Sequence, residues 1–437
     1  MASVNRKFVC LVLALAAVSQ AQNGERMRLS LRQAIDLAVR QSAPVQIARL
    51  GALQAESTVK SVRSGLLPQL GIAATAGSED LNLKALGITA PGLPTSTGPL
   101  QQFDLRPTLT ETIYDPGLRK ALLASRERVQ ESRWDAVSVQ ESTLLAVTGL
   151  YLEALAHGAR IDAGAARLGA ATARLEKVYK LVDAGSASRL DQVRARIEVD
   201  NESRALVGFR SSLAIKKLQL GNLLGVSADT ELELTESFAP PRPGAMSLSA
   251  AVSKALEERP EMKAAQARLR AAIADKQKAQ YGRYPIVGVA TDFGRMGNSP
   301  WNNMFTYTVR GTLQFPILQG GRVEAEVSSA DAVIRRTCEE IRSVRLQIEM
   351  DIHTAAIELS AAEEVYESAA DAATLAQKSV ELATDRFENG LSTNIEVVNA
   401  QEALASAQSS AIQCVLDYHL ARARLAKAQG SIRDMFN

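Results

Sequence analysis

Residues 29–75 align without gaps on residues 246–292, so the chain carries one pattern twice. Gly65, Pro68 and Gly71 fall on Gly282, Pro285 and Gly288, and Ser30-Leu31 falls on Ser247-Leu248. A second block matches 104–225 with 308–430. Arg106 meets Arg310, Leu109 meets Leu313, Ile113 meets Ile317 and Gly117 meets Gly321. Further on, Gly185 meets Gly390, Asp191 meets Glu396 and Gly225 meets Gly430. Between the blocks the halves differ in length. The first has 78–103, rich in Pro, Gly, Ser and Thr, and the second has the shorter 295–304. Unequal insertion at one point of a repeated unit marks a surface loop. Residues 226–245, with Pro240, Pro241 and Pro243, link the halves.

Each half reads as helix, helix, strand, loop, strand, long helix, turn, long helix. The strands, about 66–77, 104–114, 284–294 and 305–317, alternate with period 2. Leu105, Leu109 and Ile113 alternate with Arg106, Thr108, Thr110 and Thr112. Phe305, Tyr307, Val309 and Leu313 alternate with Thr306, Thr308, Arg310 and Thr312. Glu111 breaks the apolar face and is expected near a membrane interface. No Pro interrupts 118–183 or 322–388. As helices these stretches reach roughly 100 Å and call for coiled-coil packing. Ile334, Cys338, Ile341, Arg345, Ile348, Ile352, Ala355 and Leu359 advance by alternating 4 and 3, which assigns Cys338 to a buried seam.

Arg6 and Lys7 precede the short apolar run from Phe8 to Val18, and Ser19-Gln20-Ala21 offers small residues for cleavage. This is a secretory signal pattern, assigned to 1–21. No small-residue pair precedes Cys10, so no lipid anchor is expected. The formal charge of +2 falls to zero once Arg6 and Lys7 leave with the leader, which gives no basis for nucleic-acid binding. Cys338 and Cys414 alone make no disulfide framework. No later apolar run reaches the 18 residues of a spanning helix. Any membrane passage must therefore use β-strands.

Four strands cannot close a barrel, and an open sheet in lipid exposes unpaired edges. The chain must therefore assemble, and three copies supply 12 strands. Leu67-Pro68-Gln69-Leu70, Tyr114-Asp115-Pro116-Gly117-Leu118-Arg119 and Phe315-Pro316-Ile317-Leu318-Gln319-Gly320-Gly321-Arg322 resemble the strand-edge signatures of TolC-family outer-membrane efflux proteins. The two tips, Asp183-Ala184-Gly185-Ser186 leading to Asp191 and Glu388-Asn389-Gly390-Leu391 leading to Glu396, resemble that family too. The likeness spans about 29–430.

The resemblance implies a mostly α protein with membrane β: a homotrimer whose 12-stranded β-barrel, four strands per protomer, continues into a long periplasmic α-helical coiled-coil barrel. It divides the mature chain into a first structural repeat (22–225), a linker or equatorial segment (226–247), a second repeat (248–430) and a C-terminal tail (431–437). The function implied is a passive exit duct of a tripartite efflux pump or type I secretion system. Its partners would be a periplasmic adaptor (membrane fusion) protein, an inner-membrane efflux or ABC transporter, and outer-membrane lipid. No cofactor and no enzyme activity are expected. Glu396 and Asn399 fall on the family's gate positions, with Asp191 at the repeat-related place. Three symmetry-related copies of Glu396 would form a carboxylate ring favouring cations. Its alternative role is a solvated helix-start acid. Gly185, Ser186, Gly390 and Leu391 fall on adaptor-contact positions, where the glycines would also serve as turn residues. Arg106, Thr108, Thr110, Thr308, Arg310 and Thr312 are placed on the lumen face, the two arginines either biasing it towards anions or pairing with lumen acids.

Two other classes compete. A periplasmic adaptor also carries a coiled-coil hairpin, but one rather than two. An exported hydrolase would need a catalytic constellation, and no Ser/His/Asp, Cys/His or metal spacing is present. His157, His353 and His419 are far apart and read as packing or surface residues.

Overall fold

The structure is a computed structural model, describing residues 26–238, 247–430 and 432–433 except 89, 186 and 390. The expected leader 1–21, part of the linker, and the tail residues other than 432 and 433 lie outside the described residues. In chain order the elements are β1 (Arg26–Leu29), α1 (Leu31–Gln41), α2 (Ala43–Ser64), β2 (Gln69–Glu79), β3 (Leu100–Tyr114), α3 (Pro116–Asp183) and α4 (Arg189–Leu224). There follow β4 (Glu231–Leu234), α5 (Leu248–Glu258), α6 (Pro260–Gln280), β5 (Ile286–Gly297), β6 (Asn303–Gln314), α7 (Arg322–Glu388) and α8 (Asn394–Ala428). The long helices α3 and α7 hold 68 and 67 residues. No described helix is long and apolar enough to cross a membrane.

The chain forms two compact units, each drawing on both halves of the sequence. One comprises Arg49–Asp135 and Glu261–Val344 and contains a four-stranded antiparallel sheet of order β2-β3-β5-β6. Pro residues set its ends. β2 and β5 begin just after Pro68 and Pro285, and β6 ends at Gln314, short of the expected 317, because Pro316 brings no N–H. Pro107 lies inside β3, where the pairing with β5 skips from Leu105 to Thr108. Gly294 stands opposite Arg106 in the flanking register, and a Cβ there would collide with Leu105 O, so the glycine allows the two strands their close approach. The helices of this unit pack through alanines of α6, Ala264, Ala267 and Ala271 among them, all buried. They are laced by Arg268–Glu131 (2.6 Å) and Arg270–Glu127 (2.7 Å).

The other unit comprises Met1–Ala48, Ala136–Pro260 and Arg345–Asn437. Here β1 and β4 form a parallel ribbon that the sequence reading missed, having treated 226–247 as a linker. Its signal was present as Arg-Met-Arg-Leu and Glu-Leu-Glu-Leu, two short period-2 stretches. The charges pair across the ribbon, Arg26–Glu231 at 3.0 Å and Arg28–Glu233 at 3.2 Å. Leu29 and Leu232 turn into a core with Ile35, Leu144, Tyr151, Leu220, Leu224 and Ile432. The Tyr151 hydroxyl donates to Leu29 O at 3.0 Å, and burial pushes it up to about 12.

The assignment of Cys338 to a buried seam is corrected. Cys338 is exposed in the chain, and Thr337 is buried instead. A straight helix turns 3.6 residues per turn, so a stripe read at 3.5 drifts by a position. Thr337 satisfies its hydroxyl by donating to Val333 O at 3.0 Å. Ile348, Ile352 and Ala355, further along, are buried as expected.

Candidate functional site

The sheet presents two chemically different faces. Cross-strand register places Leu70, Leu109, Thr291 and Val309 in one row, and Ala74, Leu105, Arg295 and Phe305 in another. Because side chains alternate, these rows share a face. Its apolar members stand open: Leu70, Ile72, Val309 and Leu313 are each about two-thirds or more exposed.

The opposite face carries all six predicted lumen residues. Thr108, Asp292 and Thr308 are aligned, as are Thr110, Ala290 and Arg310, and Thr112, Gly288 and Thr312. Arg106 donates through Nε to Asp104 Oδ1 at 2.6 Å and through Nη1 to Asp292 Oδ1 at 2.9 Å. Its Nη2 also meets Asp104 Oδ2. Of the two fates open to the arginines, Arg106 takes pairing. Among the described residues no carboxylate pairs with Arg310. Asp104 and Asp292 were not singled out from sequence. The i, i+2 spacing of Asp104 and Arg106 along one strand was the available signal.

The first helix tip closes on Gly185, whose φ of +71 is the left-handed conformation that ends a helix. Gly185 N donates to Val182 O at 3.0 Å. Ser188 then caps α4: Asp191 N donates to Ser188 Oγ at 3.2 Å, while Ser188 N donates to Asp191 Oδ2 at 3.2 Å. Asp191 is thus engaged in a capping box. At the second tip Leu391 N donates to Arg386 O at 2.8 Å, and the Leu391 side chain is 71% exposed. Thr393 caps α8 without a side-chain bond. Glu396, in the first turn, is exposed, as is Asn399. Ser186 and Gly390 lie outside the described residues.

Sequence reasoning overlooked a polar ladder in the helices behind the tips. Arg160, Arg167 and Arg174 recur every seventh residue of α3. Arg160 reaches Gln413 of α8 at 2.7 Å, Arg167 reaches Glu202 of α4 and Gln408 of α8, both at 3.1 Å, and Arg174 reaches Glu198 of α4 at 3.0 Å and Gln401 of α8. Three planar donor groups on one stripe thereby tie α4 and α8 to α3. Burial pushes the Glu198 carboxyl up despite the Arg174 guanidinium, and Glu202 and Glu402 add to the shift. His157 has a buried Nδ1 with no hydrogen-bond partner. Burial holds its imidazole below the usual range, with Arg160 and Lys216 acting in the same sense. Among the described residues no group of three or more His, Cys, Asp and Glu is arranged to hold a metal.

The model of the outer membrane efflux protein family matches residues 34–226 and 251–431, most of the chain. The chain belongs to that family. The pyoverdine export outer membrane protein OpmQ of Pseudomonas putida is 26% identical over 404 residues, covering 92% of this chain and 85% of the relative. A membrane protein structure from Pseudomonas aeruginosa superposes with a TM-score of 0.81 at 18% identity, covering 92% of this chain and 93% of that one. The outer membrane protein VceC of Vibrio cholerae superposes at 0.77 with 19% identity, over 92% and 96% of the two chains. As an outer membrane efflux protein with a TolC-like channel fold, the chain resides in the outer membrane with its helical part extending into the periplasm.

Proposed function

We propose that three copies of this outer membrane efflux protein form a passive exit duct, each contributing β2, β3, β5 and β6 to a 12-stranded barrel continuous with a periplasmic helical barrel. The observation that carries this is the sheet itself. Among the described residues β2 and β6 are edges without a further strand partner, on a sheet with one open apolar face. Hydrocarbon tolerates neither bare N–H nor bare C=O groups, so edges in lipid must find partners in other copies. A second support is the outward apolar stripe Leu346, Met350 and Ile357 on α7, distinct from the buried Ile348, Ile352 and Ala355. Such a stripe fits a neighbouring subunit. The matched halves support an internal duplication.

In this reading the polar face lines the lumen and the helix tips meet the periplasmic partners. Glu396 would face the threefold axis as a carboxylate ring, with Asn399 one turn on and Asp191 at the related tip. Gly185, Ser186, Gly390 and Leu391 would receive an adaptor, which links the duct to an inner-membrane efflux or ABC transporter. Exposed Leu190, Val193 and Leu391 supply apolar surface for that docking. A relative named for pyoverdine export supports an export role, in either a tripartite efflux pump or a type I secretion system.

The test is the assembly state. Protein extracted from outer-membrane fractions in mild detergent is expected to sediment as a trimer. Recovery as a water-soluble periplasmic monomer would reject the reading.

A further inference from the structure

The apolar sheet face ends in a cluster of aromatic and basic side chains. Tyr114, the last residue of β3, stands opposite Val287 after a bulge that follows Thr112, which returns it to the apolar face. The Arg119 guanidinium lies over its ring, 5.9 Å from the centroid. The next residue, Lys120, holds its ammonium 5.9 Å from the centroid of Tyr281, and Tyr281 meets Tyr284 edge to face at 4.9 Å. Among the described residues neither Arg119 nor Lys120 has a carboxylate partner. Other cations of the same unit do pair, Arg283 with Glu324 and Arg322 with Glu326. Just past the end of β6, Ile317 and Leu318 are 89% and 91% exposed.

Apolar band, aromatic rings and unpaired cations succeed one another over a few residues. That order matches a bilayer leaflet read from acyl chain through glycerol to phosphate. A cation held over a ring also retains its charge while its stem lies against apolar surface. The one carboxylate borne by the apolar face of β3 near this end is Glu111. Asp115, just past the strand, accepts from Leu118 N at 2.8 Å, and neither carboxylate pairs with Arg119 or Lys120, whose two open charges favour a headgroup of net negative charge over a zwitterionic one.

The geometry points to a binding site for an anionic glycerophospholipid of the periplasmic leaflet, its phosphate held by Arg119 and Lys120 and its upper acyl chains lying along Ile317 and Leu318. This rests on the sheet being a lipid-facing barrel wall, and the test separates the two. Full-length protein is reconstituted into vesicles of equimolar phosphatidylethanolamine and phosphatidylglycerol. It is then re-extracted, and the lipid it retains is measured by native mass spectrometry. Phosphatidylglycerol is expected to exceed phosphatidylethanolamine by about tenfold or more, since each basic side chain near the surface contributes appreciably to anionic lipid attraction. Arg119→Gln with Lys120→Gln is expected to abolish the excess, and the exchange Arg119→Lys with Lys120→Arg to keep it. Retention of the two lipids in equal amounts, an excess unchanged in the double Gln variant, or stronger retention of added lipopolysaccharide would overturn the site while leaving the barrel intact. Wild-type protein that fails to float with the vesicles would overturn the barrel wall and the site with it.

Discussion

Asp191 and Glu396 occupy the same place in their repeats, three residues past the cap of the second hairpin helix, yet they do different work. Asp191 shares a capping box with Ser188, so its carboxylate is bound to the tip that carries it. Glu396 follows Thr393, which makes no side-chain cap bond, and its carboxylate stands in solvent. A group held by its own backbone contributes less to an axial field than one free to face the axis. Glu396→Gln is therefore expected to reduce the cation preference of the duct in planar-bilayer conductance. Asp191→Asn should change selectivity little, but should weaken the start of α4 by about 1 kcal/mol. Equal selectivity in wild type and Glu396→Gln would remove Glu396 from the gate. The two positions were legible from the repeat alignment alone. The difference between them was not, because it depends on cap geometry that Ser188 adopts and Thr393 does not.

At the scale of elements, the helices and the four sheet strands were visible because their periodicity persists over many residues. Their ends were visible where Pro forces them, although the expected 305–317 ran past Pro316. The ribbon of β1 and β4 was missed because each strand has only four residues, too few for alternation to stand out from chance. The Arg160, Arg167 and Arg174 ladder was missed for another reason: a heptad of charged residues reads as a solvated face until neighbouring helices are placed on it. The chain end is a third case. Residues 431–437 read as a tail, yet Ile432 is fully buried among Leu144, Val147 and Leu224, and its N–H donates to Glu141 Oε2 at 3.2 Å. One side chain beyond α8 thus closes a core built from β1, α1, α3, α4 and β4. Ile432→Ala is expected to destabilise this unit by about 2–5 kcal/mol, the range for emptying a close-packed aliphatic site. Thermal unfolding followed by circular dichroism would register the loss. An unchanged midpoint would mean that the last turn is not part of the cooperative core.

At the scale of the whole molecule, one strand can separate a membrane barrel from a sheet that merely lies open to water. Thr308 and Val309 are neighbours in β6 and point to opposite faces. Thr308 is aligned with Asp292 and lies on the face that carries the Arg106 ion pairs, so an arginine introduced there finds carboxylates and water. Val309 is aligned with Thr291, and through it with Leu109 and Leu70, near mid-strand on the apolar face. If that face meets lipid, Val309→Arg places a charge near the depth where the penalty is greatest, about 2–4 kcal/mol per copy. Thr308→Arg avoids that penalty. The expected outcome is that Thr308→Arg assembles in the outer membrane at near wild-type yield while Val309→Arg accumulates as unassembled protein. In a water-exposed sheet both substitutions would be tolerated alike, because a two-thirds-exposed valine gives up little when replaced by a charge. Equal assembly of the two variants would therefore contradict the lipid-facing wall, whatever the oligomer count, and a reversed order would place the lumen on the other face. The contrast is informative because propensity, strand position and added charge are nearly matched, leaving the solvent each face meets as the main variable.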